Sequence, residues 1–170
     1  GVVNESSKTN HVKIYDEVSG TKSSNEISSM LFVELQQFFS KNVNLIIYCD
    51  NTVSQNKNVF MIGWFMFLIQ KGYFPSIRIK FLCVGHTHFN PDRVFGWITN
   101  YSKFSDLYSV DDVIASISEI NNVNCEKFEY FYDWKNYLIN FHGKKLKGIT
   151  KMAEICFFEG DPNVYYSESL

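Results

Sequence analysis

The chain has 170 residues, 45% of them hydrophobic and 17% aromatic, with 16 Phe, 10 Tyr and a formal charge of −2. That much apolar material is enough for a substantial core and excludes general disorder. The near-neutral balance excludes a protein that coats nucleic acid by charge alone, although a nuclease stays open because an acidic site can offset a basic groove.

The four cysteines, Cys49, Cys83, Cys125 and Cys156, form no CxxC pair. Cys49 and Cys83 fall in apolar, strand-like runs and read as small core residues of a reducing compartment. No zinc-finger spacing or secretory signal is visible. The longest apolar run, Val59 to Ile69, is far short of the roughly 20 residues a membrane span needs. The sequence enters at Gly1, without Met, directly into Val2-Val3, which reads as a piece of something longer.

In chain order, Gly1 to Glu5 reads as the tail of a strand and Ser6 to Asn10 as a polar turn. His11 to Val18 alternates like a strand, with Asp16 and Glu17 near its end. Ser23 and Glu26 form a capping box for a helix whose buried stripe would be Ile27, Met30, Leu31, Leu35, Phe38 and Phe39. Val43 to Cys49 is nearly all apolar, as expected of a central strand covered on both faces. The polar run Ser54 to Asn58 opens a helix, apolar all round from Val59 to Ile69 and stopped by Lys71-Gly72. Such a helix is buried or faces a partner.

A strand over Ile77 to Val84 feeds a helix from about Pro91 to Tyr101, with Asn90 as its cap and Val94, Trp97, Ile98 and Tyr101 along one face. Ser109 and Asp112 cap another helix, reaching about Ile120. Glu126 to Tyr132 reads as a strand, Asp133 to Asn140 as a short helix and Ile149 to Glu159 as a strand. Gly160-Asp161-Pro162 makes a turn and Val164 to Ser167 a last strand. Lys144, Lys145, Lys147 and Lys151 form a small basic cluster. The expectation is one α/β domain over 1–170, with a core over about 1–105 and a carboxyl-terminal extension over 106–170. Alternating strands and helices imply a largely parallel sheet with right-handed crossovers.

The chemistry-bearing residues gather at expected strand ends. Asp50 follows one apolar strand, and His86 and His88 follow the next, on one side of an extended backbone. Asp92 lies in the first turn of the ensuing helix, where negative charge is favoured. Carboxylate and imidazole on a rigid corner suit a metal site or acid–base chemistry. Gln55, Asn56, Lys57 and Asn58 could contact a phosphate at a helix amino end. Each has a structural alternative: Asp50-Asn51-Thr52 as a turn, the polar run as capping residues, His-Thr-His as a corner satisfying its own backbone.

Three stretches together, Tyr15 to Ser29 (YDEVSGTKSSNEISS), Tyr48 to Asn58 (YCDNTVSQNKN) and Val84 to Gly96 (VGHTHFNPDRVFG), resemble a domain family of transposon-related eukaryotic proteins, DUF7869-like. Phe131 to Leu138 and Ile149 to Leu170 extend the resemblance over nearly the whole chain. The departure is at Thr52-Val53-Ser54, where the family usually shows Cys-Gly-Gly. The resemblance implies a ribonuclease H-like mixed sheet flanked by helices, of the DDE-transposase or nuclease type, with an α+β carboxyl-terminal extension. It implies divalent-metal-dependent cleavage or strand transfer of nucleic acid, DNA in the first instance, at a two-metal site for Mg²⁺ or Mn²⁺.

By position, Asp50, His88 and Asp92 would be metal ligands. Asp50, His86, His88 and Asp92 would form the catalytic set. Asn51, Gln55, Asn56, Lys57 and Arg93 would contact substrate. The first strand and first carboxylate of such a fold are expected upstream of Gly1, and a nuclear location goes with the resemblance. The alternative is a catalytically inactive, domesticated module that binds DNA or protein, or a homo-oligomer held through the apolar helix or the aromatic tail; no membrane is expected. A calcineurin-like phosphoesterase is a distant third, since only Gly85-His86-Thr87-His88 fits its motif series.

Overall fold

The structure, a computed structural model, describes residues 1–39, 41–82, 90–103, 106–139 and 147–169. It is α/β, with two mixed sheets flanked by helices. Two compact units interleave along the chain: Gly1–Thr21 with Thr87–Tyr130, and Lys22–His86 with Phe131–Leu170.

In the first unit, β1 (Val2–Asn4) pairs antiparallel with β2 (Thr9–Ile14), and β2 pairs in parallel with β5 (Val123–Lys127). β2 stops at Ile14, four residues before the expected end, because Asp16 accepts a bond from the Ser19 amide and turns the chain. α3 (Asn90–Ser102) and α4 (Val110–Ser118) supply the helical layer. Val12, Val94, Ile117 and Val123 form the core. The expected face of α3 divides. Val94 is buried and Ile98 packs against it, whereas Trp97 and Tyr101 are exposed, Tyr101 donating to Glu119 beyond α4. The capping box of Ser109 and Asp112 forms as the spacing predicts.

In the second unit, α1 (Ser24–Leu35) carries the expected box of Ser23 and Glu26. β3 (Leu45–Cys49) leads to α2 (Val59–Gln70), then β4 (Ser76–Phe81), the short α5 (Trp134–Tyr137), β6 (Glu154–Phe158) and β7 (Tyr165–Ser167). The sheet order is β3-β4-β6-β7, with only the first pair parallel. The sheets are therefore mixed rather than largely parallel.

α2 is the centre of this unit. Met61 to Phe65 and Phe67 to Ile69 are buried against α1 and the sheet, so the chain itself covers the helix's apolar sides. Lys71-Gly72 ends it in a Schellman turn: the Gly72 amide donates to the Ile69 carbonyl and that of Tyr73 to Leu68, with Gly72 at φ +67°.

Two further expectations are corrected. β3 lies at the end of the sheet order, and its burial alternates, leaving Ile46 53% and Tyr48 52% exposed. An apolar run is thus compatible with one open face when half of its side chains point to solvent. On α1 Leu35 is buried as expected, but the other buried residues are not from the apolar stripe; they are Ser24, Asn25, Ser28 and Ser29. Ser28 and Ser29 return their hydroxyls to the carbonyls of Ser24 and Asn25, so small polar side chains lie in close contact without unpaired groups. Ile27, Leu31, Phe38 and Phe39 pack only partly buried against the core.

Candidate functional site

Because β3 and β4 are parallel neighbours, both chains leave the sheet at the same edge. Asp50 is the first residue after β3, and Leu82 the last described residue after β4. The two exits are tied: Asn51 Nδ2 donates to the Leu82 carbonyl at 2.5 Å, and the Leu82 amide donates to the Cys49 carbonyl at 2.9 Å. The corner carrying His86 and His88 lies outside the described residues, as do Lys144 and Lys145 of the basic cluster.

The Asp50 carboxylate is the hub of its loop. One oxygen accepts from the Thr52 amide at 3.1 Å and from Asn56 Nδ2 at 2.6 Å; the other accepts from the Thr52 hydroxyl at 2.7 Å. Burial alone would raise this carboxyl's pKa. The bonds from Thr52 and Asn56 outweigh it and hold the group below the usual carboxylate range. The Thr52 carbonyl in turn accepts from the amides of Gln55, Asn56 and Lys57, which winds the loop toward α2. Asn58 caps α2 by accepting from the Met61 amide, and donates to the Ser24 hydroxyl and the Val53 carbonyl. Ser24 donates back to the carbonyls of Ser54 and Gln55. The loop is thus held by side chains.

Lys57 is only 4% exposed. Its ammonium donates to Asn51 Oδ1 at 2.8 Å and to the Thr150 carbonyl at 3.0 Å, and lies 4.8 Å from the centre of the Phe81 ring. Here it is a brace. By accepting from Lys57, Asn51 Oδ1 turns the amide so that Nδ2 meets Leu82. Cys49, just before Asp50, has its thiol pushed up to about 12, first by burial and then by the neighbouring carboxylate.

The expected site residues therefore divide. Asp50, Asn51, Gln55, Asn56 and Lys57 share one loop in the second unit. Asp92 and Arg93 belong to the first unit, both exposed in the opening turn of α3. There Asn90 is the first helical residue rather than a cap outside it. Its side chain accepts from Arg93 at 2.6 Å and donates to Glu5, while the Arg93 guanidinium lies 5.5 Å from the Trp97 ring centre. Sequence reasoning missed Glu5, Ser24 and Thr150. For Ser24 the capping box beside it was a usable signal; Glu5 and the Thr150 carbonyl carry none.

As a cation ligand, Asp50 fits in one respect. A ligating carboxylate is normally held ionised and oriented by surrounding hydrogen-bond donors, as Thr52 and Asn56 hold this one. In another respect the set is short. Among the described residues no group of three or more His, Cys, Asp or Glu comes together, so Asp50 would need ligands beyond this loop. Among them, too, no helix is long and apolar enough to cross a membrane.

A family profile described as a domain of unknown function, DUF7869, matches residues 1–167. No curated protein and no solved structure is significantly similar. With the match running through the β3 loop, the histidine corner and the closing strands alike, the chain belongs to the DUF7869 family.

Proposed function

We propose that the joint exit of β3 and β4 is the working end of a transposon-derived, ribonuclease H-like domain acting on the phosphodiester backbone of nucleic acid. The observation that carries this reading is Asp50: a carboxylate kept ionised at the carboxyl end of a parallel strand pair, with the exit of the neighbouring strand bound beside it. Thr52 and Asn56 orient the carboxylate. Lys57 and Asn51 fix the chain from which the histidine-bearing corner departs. His86, which belongs to the same unit, is the next candidate ligand and proton carrier. A divalent cation, Mg²⁺ or Mn²⁺, would supply activation of water and charge stabilisation at the leaving oxygen. A nuclear location and a DNA substrate go with this reading.

The test is calorimetric titration of the chain with Mn²⁺. The expected result is a binding heat that disappears in Asp50→Ala and survives in Asp161→Ala, a turn acid held by Asn163 and Tyr165. Wild-type protein that takes up no Mn²⁺ at millimolar concentration overturns the proposal.

A second reading, a catalytically silent binding module, is favoured by one observation. Three donors from its own loop already occupy the Asp50 oxygens, which is also what a purely structural Asp-turn would show. Under that reading Asp50→Ala alters stability and leaves DNA or protein binding unchanged.

A further inference from the structure

The two faces of the β3-β4-β6-β7 sheet differ in character. On one, Ile77, Ile79, Ile155 and Phe157 are buried against the helices. On the other, period-two alternation presents Ile46 and Tyr48 from β3, Arg78 and Lys80 from β4, and Phe158 and Tyr165 from β6 and β7. Arg78 is half-exposed, Phe158 41% and Tyr165 49% exposed.

The register fixes how these groups lie. Ile46 is opposite Arg78, Arg78 opposite Cys156 and Cys156 opposite Tyr165; Tyr48 is opposite Lys80 and Lys80 opposite Glu154. Two cations therefore occupy the middle of the face, with a tyrosine toward each edge. Three strand spacings, about 14 Å, separate β3 from β7. Glu154 holds both cations in place, 3.3 Å from Arg78 Nε and 4.0 Å from Lys80 Nζ. Phe158 stands edge-on to Tyr165, with ring centres 5.7 Å apart.

We infer that this open sheet face is a platform for single-stranded nucleic acid, with bases stacking on Tyr48 and Tyr165 and phosphates meeting Arg78 and Lys80. Aromatic rings on an exposed sheet stack two or three bases in other nucleic-acid-binding sheets, and stacking tolerates any base. The central charge favours this occupant over a protein. Protein interfaces are depleted of charge at their centre and place polar groups at the rim, the reverse of the pattern here. A duplex is a poor fit because its bases are already stacked, leaving no free face for the rings. The platform does not depend on a cation at Asp50.

Fluorescence anisotropy with a labelled oligo-dT of about 15 nucleotides tests it, a length within the range of known single-strand sites. With two cations engaged, the log–log salt dependence of affinity should have a slope of about −1.4, and Arg78→Gln should reduce its magnitude by about 0.7. Tyr48→Ala and Tyr165→Ala should each weaken binding about tenfold. Tyr48→Phe should retain it, because the ring does the stacking. Tyr130→Ala, an exposed tyrosine of the other unit, should change nothing. Binding should be undiminished in EDTA, which separates this platform from the cation site. Both tyrosines are about half exposed, so the alanine variants should still melt cooperatively, which shows that a loss of binding is not a loss of fold. Failure of wild type to bind at low salt, equal affinity of the tyrosine variants, or equal affinity for a duplex overturns the proposal. So does a dimer in sedimentation that Tyr48→Ala and Tyr165→Ala dissolve, since the face would then belong to a second copy.

Discussion

At the scale of single residues, Asp50 makes a pH-dependent contribution of known sign. Its folded pKa lies below the ordinary value because hydrogen bonds outweigh burial. The stabilisation is therefore fully present above the unfolded pKa, near 3.9, and disappears as pH falls through the lower folded value. Asp50→Ala should cost about 1–2 kcal/mol at pH 7, modest because the group is partly solvated. The gap from wild type in urea melts should shrink toward pH 3; a gap independent of pH would show that the carboxylate's charge is immaterial. Lys57 is a different case. Lys57→Met would leave Asn51 Oδ1 and the Thr150 carbonyl without their donor in a buried place, at a cost of about 2–4 kcal/mol seen as a lower denaturation midpoint. Sequence reading placed Lys57 in a polar run that either contacts a phosphate or caps the helix. Its burial depends on a carbonyl 93 positions away, and no local pattern announces that.

At the scale of elements, what was legible was chemistry confined to one turn. The boxes of Ser23 with Glu26 and Ser109 with Asp112, and the stop at Lys71-Gly72, need only residues within hydrogen-bond reach along the chain. What was not legible depended on which neighbour covers a face. The β3 run looked fully buried because Ile46 and Tyr48 are apolar yet exposed. The alternation in β4 was the better signal: Arg78 and Lys80 between Ile77, Ile79 and Phe81 already imply a sheet with one open face. The cap of α2 joins element to site, since Asn58 also holds Val53 and Ser24. Asn58→Ala should lower stability by about 1–2 kcal/mol. The urea m-value should stay the same if α2 remains folded in the native state, and a changed m-value would mean that the helix end frays before global unfolding.

At the scale of the whole molecule, the alternation of strands and helices was readable from period and caps, but the partition into two sheets was not. Pairing of β2 with β5 joins residues more than a hundred positions apart, and no local pattern selects that partner over β3. The partition has a consequence for stability. Among the described residues, the core of the second unit comprises seventeen buried side chains, including Trp64, Phe74, Phe81 and Trp134, whereas that of the first comprises four, all aliphatic. Buried apolar area is the main stabilising term, at about 25 cal/mol per Å², so the smaller core offers far less resistance to opening. Amides of α2 and β4 should therefore exchange with solvent deuterium only through global unfolding. Those of β1 and β2 should exchange through openings of lower free energy and respond weakly to added urea. Native-state exchange at increasing denaturant measures both. If the β2 amides follow the same urea dependence as those of α2, the small core does not open alone and the two units unfold as one.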